Sequence, residues 1–404
     1  MKLRVAKPGG APTLGITLLL ASLSMISPLS IDTFLPSLPT IAREFGLNAW
    51  QAQQIITAYL LPFAFFSLVH GPLSDALGRR AIVLGGLGMY TLGSIGCFIA
   101  PTFATLLACR VLQGMAAGIG PTVSRAVVRD MFEGANAQKL MSSTILVFSL
   151  APAMAPVIGG WVHVALGWRW VFGMLVVIGG LLLVVCALLL PETHPKGARS
   201  EFHPVALFRS CWQVSRQPSF LLLAVSAALT IASLFVYIGS APLIILERWH
   251  LKETQFHYIF IPVVAGFVVA SFTSGQIAGR VGRPLQIRTG FGLLCASGAL
   301  GVALHLLLGE VPILFVQMLL FMMAGGAQLT YPVLSLDMLD MHPRARGAAA
   351  SVQAFIALGV GGLAMGMVAP VLRGDLQLLA WLSLSLGVAA WLCWRAGSAL
   401  HARL

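Results

Sequence analysis

Two charged residues of this chain stand in surroundings that argue against them. Asp32 occupies the later part of an apolar run, in Ile31-Asp32-Thr-Phe-Leu-Pro36-Ser-Leu-Pro39. Arg110 lies about a third of the way into another, in Cys109-Arg110-Val-Leu-Gln113-Gly114. A charge at the centre of a bilayer costs on the order of 2.5–3.5 kcal/mol on insertion scales, so each should face a polar cavity or a partner. Asp32 is the only carboxylate well inside such a run, and one titratable acid in a polar cavity suffices to bind and release a proton. Desolvation and neighbouring cations set its proton affinity. Surroundings that alternate between dry and wet would load the proton on one side and release it on the other. A plainer reading has Asp32 closing the first helix near the outer interface, with Pro36 and Pro39 just beyond. For Arg110 the alternatives are a coupling role in the cavity and a bond to backbone carbonyls that holds the bundle together.

A second constellation is a polar turn, Gly71-Pro-Leu-Ser-Asp75-Ala-Leu-Gly78-Arg79-Arg80, between two apolar runs. A degraded copy, Gly275-Gln-Ile-Ala-Gly279-Arg-Val-Gly282-Arg283-Pro284, recurs 204 residues later, about half the chain length. In the first copy Gly71 permits close helix approach, Asp75 ends the second span and Gly78 turns the chain. Arg79 and Arg80 are expected to anchor the turn at an anionic cytoplasmic face. Asp75 is placed to pair with a cation or a helix N-terminus as a latch between conformations. The alternative is a topological anchor only, because Gly279 stands where Asp75 does in the first copy.

These residues need helices that cross a membrane. With 58% hydrophobic and 9% charged residues over 404 positions, the chain is too apolar for a soluble protein. Twelve apolar runs, each long enough to cross the hydrocarbon core as a helix, are expected at approximately 14–36, 51–72, 81–100, 104–125, 141–162, 170–190, 219–241, 255–277, 287–308, 312–336, 347–370 and 376–395. The sequence thus predicts an all-α membrane protein of two pseudo-symmetric six-helix bundles, residues 1–190 and 219–404. The hydrophilic stretch 191–218 forms a cytoplasmic linker between them. A tandem duplication of this kind is an architecture of secondary transporters.

The net charge of +12 does not call for nucleic acid. With both termini cytoplasmic, 19 of the 25 Lys and Arg residues, among them Lys2, Arg4, Lys7, Lys139, Lys196 and Arg403, fall on the cytoplasmic side. Arg43, Arg169, Arg248, Lys252 and Arg373 fall opposite, and Arg110 stays inside. This is the positive-inside rule, and topology accounts for the basicity. The basic, then apolar amino terminus imitates a secretory signal; it reads as a retained first helix, because cleavage would leave eleven spans and destroy the charge sorting. None of the six cysteines forms a C-x-x-C pair, so neither zinc nor a disulfide framework is suggested. His163, His257 and His305 are isolated, and no metal-spaced cluster or nucleotide motif occurs. The chain is read as a non-enzyme with no cofactor and no metal.

In the fifth run, Ala151-Pro152-Ala-Met-Ala155-Pro156-Val-Ile-Gly159-Gly160 sets small residues four apart around two prolines. Small residues accept a close neighbour in a membrane, and proline kinks a helix. Met25, Tyr59, Phe63, Phe66, Gln113, Phe235, Tyr237, Gln328 and Tyr331 are candidate substrate-cavity residues, since amphiphiles favour aromatic and Met walls with a few polar groups.

Together these features resemble the major facilitator superfamily. Gly71-x-x-x-Asp75-x-x-Gly78-Arg79-Arg80 is similar to its cytoplasmic loop signature, and Leu190-Pro191-Glu192-Thr193 fits the end of a sixth superfamily helix. The fifth-run motif resembles that of drug–proton antiporters, G-x-x-x-G-P-x-x-G-G, with Ala151 and Ala155 in place of two glycines. Within the superfamily the chain looks like the Bcr/CflA drug-resistance branch. That likeness is carried by Asp32-x-x-x-Pro36-x-x-Pro39, Val128-Arg129-Asp130-Met-Phe-Glu133, Ala151-Pro152 through Gly160, and Ser240-Ala241-Pro242. The resemblance implies proton-coupled export of small amphipathic drugs, such as amphenicols, bicyclomycin or sulfonamides, across a bacterial inner membrane. It implies Asp32 as the proton- and substrate-responsive acid and Arg110 as its coupling partner. Some related exporters carry a further acid two turns before the Asp32 position; here Ser24 and Met25 stand nearby, so coupling would rest on Asp32. A proton-coupled metabolite transporter, for amino acids or nucleosides, is the alternative, and a membrane sensor or enzyme a remote one. The mechanism expected is alternating access by rocking of two halves, in a monomer whose partners are a small-molecule substrate, protons and the lipid bilayer.

Overall fold

In the computed structural model, residues 14–132, 134–195, 197, 199 and 201–402 are described, with backbone alone at 134, 135, 139, 142, 143 and 145–149. The expectations placed on Lys2, Arg4, Lys7, Glu133, Lys196 and Arg403, and on the side chain of Lys139, lie outside the described residues. A helix covers each of the twelve apolar runs, and no strand occurs among the described residues. Among the described residues, ten helical segments are by themselves long and apolar enough to span a bilayer, and one bent pair brings the number to eleven. The run expected at 141–162 falls within a single 33-residue helix.

The chain divides into two compact units, Met1–Leu47 with Gln54–Pro204, and Asn48–Gln53 with Val205–Leu404. The first contains α1 (Leu14–Asp32), α2 (Leu38–Glu44), most of α3 (Ala49–Ser67), α4 (His70–Leu77), α5 (Arg79–Phe98), α6 (Phe103–Ala117), α7 (Ile119–Met131), α8 (Gly134–Leu166) and α9 (Trp168–Leu189). Within it α5 packs against α6 and α9, and α1 against α7 and α8.

Several spans are interrupted, for identifiable reasons. The first expected run continues past residue 36: α1 ends at Asp32, a 3-10 turn fills Leu35–Ser37, and α2 carries the chain to Glu44. Pro36 and Pro39 lack the N–H that an uninterrupted helix requires there. The 31-residue segment Leu14–Glu44 nevertheless qualifies as one span, so Asp32 sits at a break inside it. The second run bends by 56° between α3 and α4. The fourth divides at Gly118 into α6 and α7. By contrast α8 runs through Pro152 and Pro156 without interruption of its helical assignment.

The second unit holds α10 (Pro204–Ser215), α11 (Pro218–Pro242), α12 (His257–Ile277), α13 (Arg283–Leu308), α14 (Ile313–Met341), α15 (Arg346–Leu363), α16 (Ala369–Leu372) and α17 (Leu376–His401). Here α11 packs on α14, α15 and α17, and α13 lies between α14 and α17. Two π-helical turns, Leu243–Arg248 after α11 and Ala364–Val368 after α15, interrupt the regular spans. Such turns recur at functional sites; no periodicity in the sequence announces them.

Candidate functional site

Among the described residues, the buried Asp, Glu, Lys and Arg side chains are Asp32, Arg79 and Arg110, and all three belong to the first unit. The second unit buries uncharged polar groups such as Ser226, Thr230, Gln286 and Gln353. Among the described residues, buried carboxylates and guanidiniums are thus confined to one half.

Arg110 has no exposed surface. Its Nε donates to the carbonyl of Ile55 at 3.1 Å, and Nη1 donates to the carbonyl of Ser30 at 3.1 Å and to Oε1 of Gln113 at 2.9 Å. The Ser30 carbonyl is one of the four that α1 leaves without an intrahelical donor when it stops at Asp32. A cation beside those carbonyls is favoured by the helix dipole as well. The guanidinium carbon lies 4.5 Å from the ring centroids of both Phe34 and Tyr59, and 5.9 Å from that of Phe172. Cation–π attraction of this kind strengthens when the pair is desolvated. Nη2 is buried with no hydrogen-bond partner in the structure.

Gln113 extends the network. Its Nε2 donates to Ser94 Oγ at 2.7 Å, and the Tyr90 and Ser30 hydroxyls meet at 2.5 Å. The Tyr59 hydroxyl donates to the Ser27 carbonyl at 3.3 Å. Polar groups from α1, α3, α5 and α6 therefore converge on one cation. Tyr59 and Gln113, expected along a cavity, have no exposed surface and instead enclose Arg110. Ser30, Tyr90 and Ser94 were not singled out from the sequence; only their spacing against a buried arginine could have pointed to them.

Asp32 lies beside this cluster in the chain but outside its bonding. It is 5% exposed, and among the described residues it forms no ion pair with Arg110. The arginine instead serves the backbone of α1 two residues away, at the Ser30 carbonyl. Thr33 follows with its hydroxyl on the Leu29 carbonyl. The antiporter-like stripe reaches this point: Ala151, Ala155 and Gly159 are buried at four-residue spacing, with Gly160 beside them. A Cβ at Gly159 would collide with the Thr33 carbonyl oxygen. Glycine is required there because α8 approaches the α1 break at backbone distance. Pro152 is half-buried and Pro156 buried on the same helix.

The polar turn is a second site. Arg79, 7% exposed, opens α5 and pairs with Asp75, while Nε donates to Asp130 Oδ2 at 3.0 Å and Nη1 to Ser74 Oγ at 2.9 Å. Its backbone N–H donates to Glu192 Oε1 at 2.9 Å, and Thr193 donates to Asp130 at 3.0 Å. Arg80 turns to the Ala187 carbonyl at 2.5 Å. Both guanidiniums, expected at an anionic membrane face, have protein acceptors here. Gly78 has φ +97°, a backbone conformation that favours glycine. Gly71 does not fulfil its expectation, since a Cβ on it would meet nothing within 4 Å. Asp75 lies inside α4, two residues short of the helix end.

The degraded copy retains the device in altered form. Arg283 opens α13 after Gly282 and its Nη1 donates to Asp337 and Asp340, each at 2.9 Å. The partner four residues earlier, Asp75 in the first copy, is replaced by Gly279, while partners on a later helix are kept in both copies. Asp130 lies in the stretch Val128–Glu133 quoted for the Bcr/CflA likeness, but neither it nor Asp337 and Asp340 is marked by the sequence as a partner of these arginines.

Of the remaining cavity candidates, Met25 and Phe63 are half-buried, and Phe63 lies edge-on to Tyr59 at 6.2 Å. Phe66 stands against His70 at 6.1 Å. In the second unit Phe235 packs on Gly361, Tyr237 is buried, Gln328 donates to Ser271 at 2.7 Å and Tyr331 is half-buried.

Comparison with known proteins gives this geometry a context. The profile of the Major Facilitator Superfamily matches residues 20–366. The chain is 28% identical over 363 residues to an uncharacterized MFS-type transporter, YdgK, of Bacillus subtilis, covering 89% of this chain and 90% of that protein. It is 28% identical to a bicyclomycin resistance protein homolog of Haemophilus influenzae, covering 70% and 71% of the two chains. A chloramphenicol resistance protein of Pseudomonas aeruginosa is also 28% identical, over 70% and 67%. Among solved structures, that of the human organic anion transporter MFSD10 (TETRAN) shares the fold, with a TM-score of 0.68, 17% identity and coverage of 95% and 99%.

Proposed function

Because this chain belongs to the Major Facilitator Superfamily and is a membrane transporter, we propose that it exports small amphipathic compounds in exchange for protons by alternating access. Amphenicols, bicyclomycin and sulfonamides are the compound classes suggested by the printed names of its relatives and by its resemblance to the Bcr/CflA branch. The observation that carries the proposal is Asp32: a buried carboxylate that forms no ion pair among the described residues, at a break within a spanning segment. A carboxylate held by a cation would keep its charge through the cycle. One left unpaired changes protonation when its surroundings change from dry to wet. Arg110 holds the Ser30 carbonyl that opens at the α1 break, so movement of α1 alters the surroundings of Asp32 without shifting a salt bridge.

Proton uptake and substrate loading at Asp32 exclude one another in this scheme, which gives exchange. The test is a pH gradient established in everted membrane vesicles, challenged with amphenicols, sulfonamides, dyes, amino acids and nucleosides. Wild type should dissipate the gradient on addition of a drug-class compound, and Asp32→Asn should not. Dissipation by nucleosides or amino acids alone would replace the drug assignment with metabolite transport. Equal dissipation by wild type and Asp32→Asn would remove Asp32 from the coupling step.

A further inference from the structure

Helix α10 precedes the first span of the second unit and presents two different faces. Cys211 and Val214 are buried, while Val205, Phe208 and Trp212 are exposed to 75%, 70% and 54%. The spacing of three, then four, places the exposed three on one face of a helix. Phe208 and Trp212 stack with ring centroids 6.2 Å apart. Arg209 and Arg216 are exposed on the same side, one helical repeat apart, and the Arg216 guanidinium lies 5.9 Å from the Trp212 ring. Within the stretch 201–217 the one acidic residue is Glu201, which pairs with His203 at 3.1 Å.

The chain itself says what meets this face. Only Arg216 and Gln217 separate α10 from α11 at Pro218, the start of the spanning segment Pro218–Arg248. Two extended residues reach about 7 Å, comparable to the roughly 5–7 Å of headgroup region on each side of the hydrocarbon core. The C-terminal end of α10 is therefore confined to the membrane interface, on the side where the basic residues collect. An apolar face with tryptophan and arginines at its edge suits that layer, because the rings enter the acyl boundary while arginine stems extend to phosphate.

We propose that α10 is an interfacial helix that binds anionic phospholipid of the cytoplasmic leaflet. Val205, Phe208 and Trp212 enter the headgroup–acyl boundary, and Arg209 and Arg216 pair with headgroup phosphates. The helix thereby fixes the depth at which α11 begins.

The test is amide hydrogen exchange over residues 204–215 of the full-length protein in nanodiscs holding one copy each. Discs of phosphatidylcholine are compared with discs that also contain phosphatidylglycerol, with α13 as the internal reference. Phosphatidylglycerol should slow exchange in α10 by about fivefold for each arginine engaged, the equivalent of about 1 kcal/mol per basic side chain near an anionic surface. Arg209→Gln with Arg216→Gln should erase the difference between lipids, while Phe208→Ser with Trp212→Ser should speed exchange in both. Exchange indifferent to lipid charge and to both double variants overturns the proposal. Protection that appears only when discs hold two copies would assign the face to a second chain and overturns it as well.

Discussion

Arg110 donates to the carbonyl of Ser30 at 3.1 Å, inside the last turn of α1 and two residues before Asp32. The buried cation thus holds the end of the helix that carries the acid, through the backbone and not through the carboxylate. Breaking this bond would leave a desolvated carbonyl beside the break. Arg110 therefore positions Asp32.

Arg110→Ala should abolish transport and lower the thermal midpoint of the purified protein. It removes hydrogen bonds from a charged donor, each contributing about 1.5–3 kcal/mol, and strands the carbonyls of Ser30 and Ile55. Arg110→Lys should retain partial activity, because a point charge replaces one donor but not the planar fork. Transport and thermal unfolding measured on both variants test this. An active, stable Ala variant would reduce the arginine to packing.

Asp32→Asn should insert and unfold at nearly the wild-type temperature, because among the described residues no hydrogen bond or ion pair to the carboxylate is lost. Proton-driven accumulation should cease. Thermal unfolding set beside drug uptake into everted vesicles separates the two effects. Substrate concentrated by the variant under a proton gradient alone would show that the proton site lies elsewhere.

Asp130→Asn should slow turnover more than Asp75→Asn does, with substrate affinity little changed in either. Both acids hold Arg79, but the Asp130 side chain is 21% exposed against 47% for Asp75, and the less solvated pair is screened less. A double-mutant cycle read on turnover should give a coupling of about 0.5–3 kcal/mol, since the two share one partner. Additive effects would mean that the turn is an anchor only.

Gly159→Ala should impair transport sharply, because a Cβ at that position collides with the Thr33 carbonyl and must displace α8 from the α1 break. Overpacking of this kind costs about 1–3 kcal/mol. Gly88→Ala, where a Cβ would meet nothing within 4 Å, should be nearly neutral. Equal activity of the two variants would deny the close approach its role.

The sequence by itself determined that the chain is helical and membrane-embedded, and marked its exceptional residues. Apolar runs of spanning length leave a helix as the way to satisfy the backbone in lipid, and a charge such as Asp32 or Arg110 stands out against them. The glycine at residue 78 and the duplicated turn were legible for the same reason: each breaks a strong local pattern. Tertiary structure decided the partners. Whether Arg110 meets Asp32, or instead Ser30, Ile55 and Gln113, depends on the relative rotation of α1, α3 and α6, which no hydrophobic periodicity records when helices are apolar on every side. Asp130 and Glu192 lie 51 and 113 residues from Arg79 in the chain and meet it only because helix ends are brought together. The break at Asp32 was hinted at by Pro36 and Pro39. The structure shows that the chain resumes as helix to Glu44, placing the acid inside the span, and that α8 closes on the break at backbone distance, at Gly159 and Thr33.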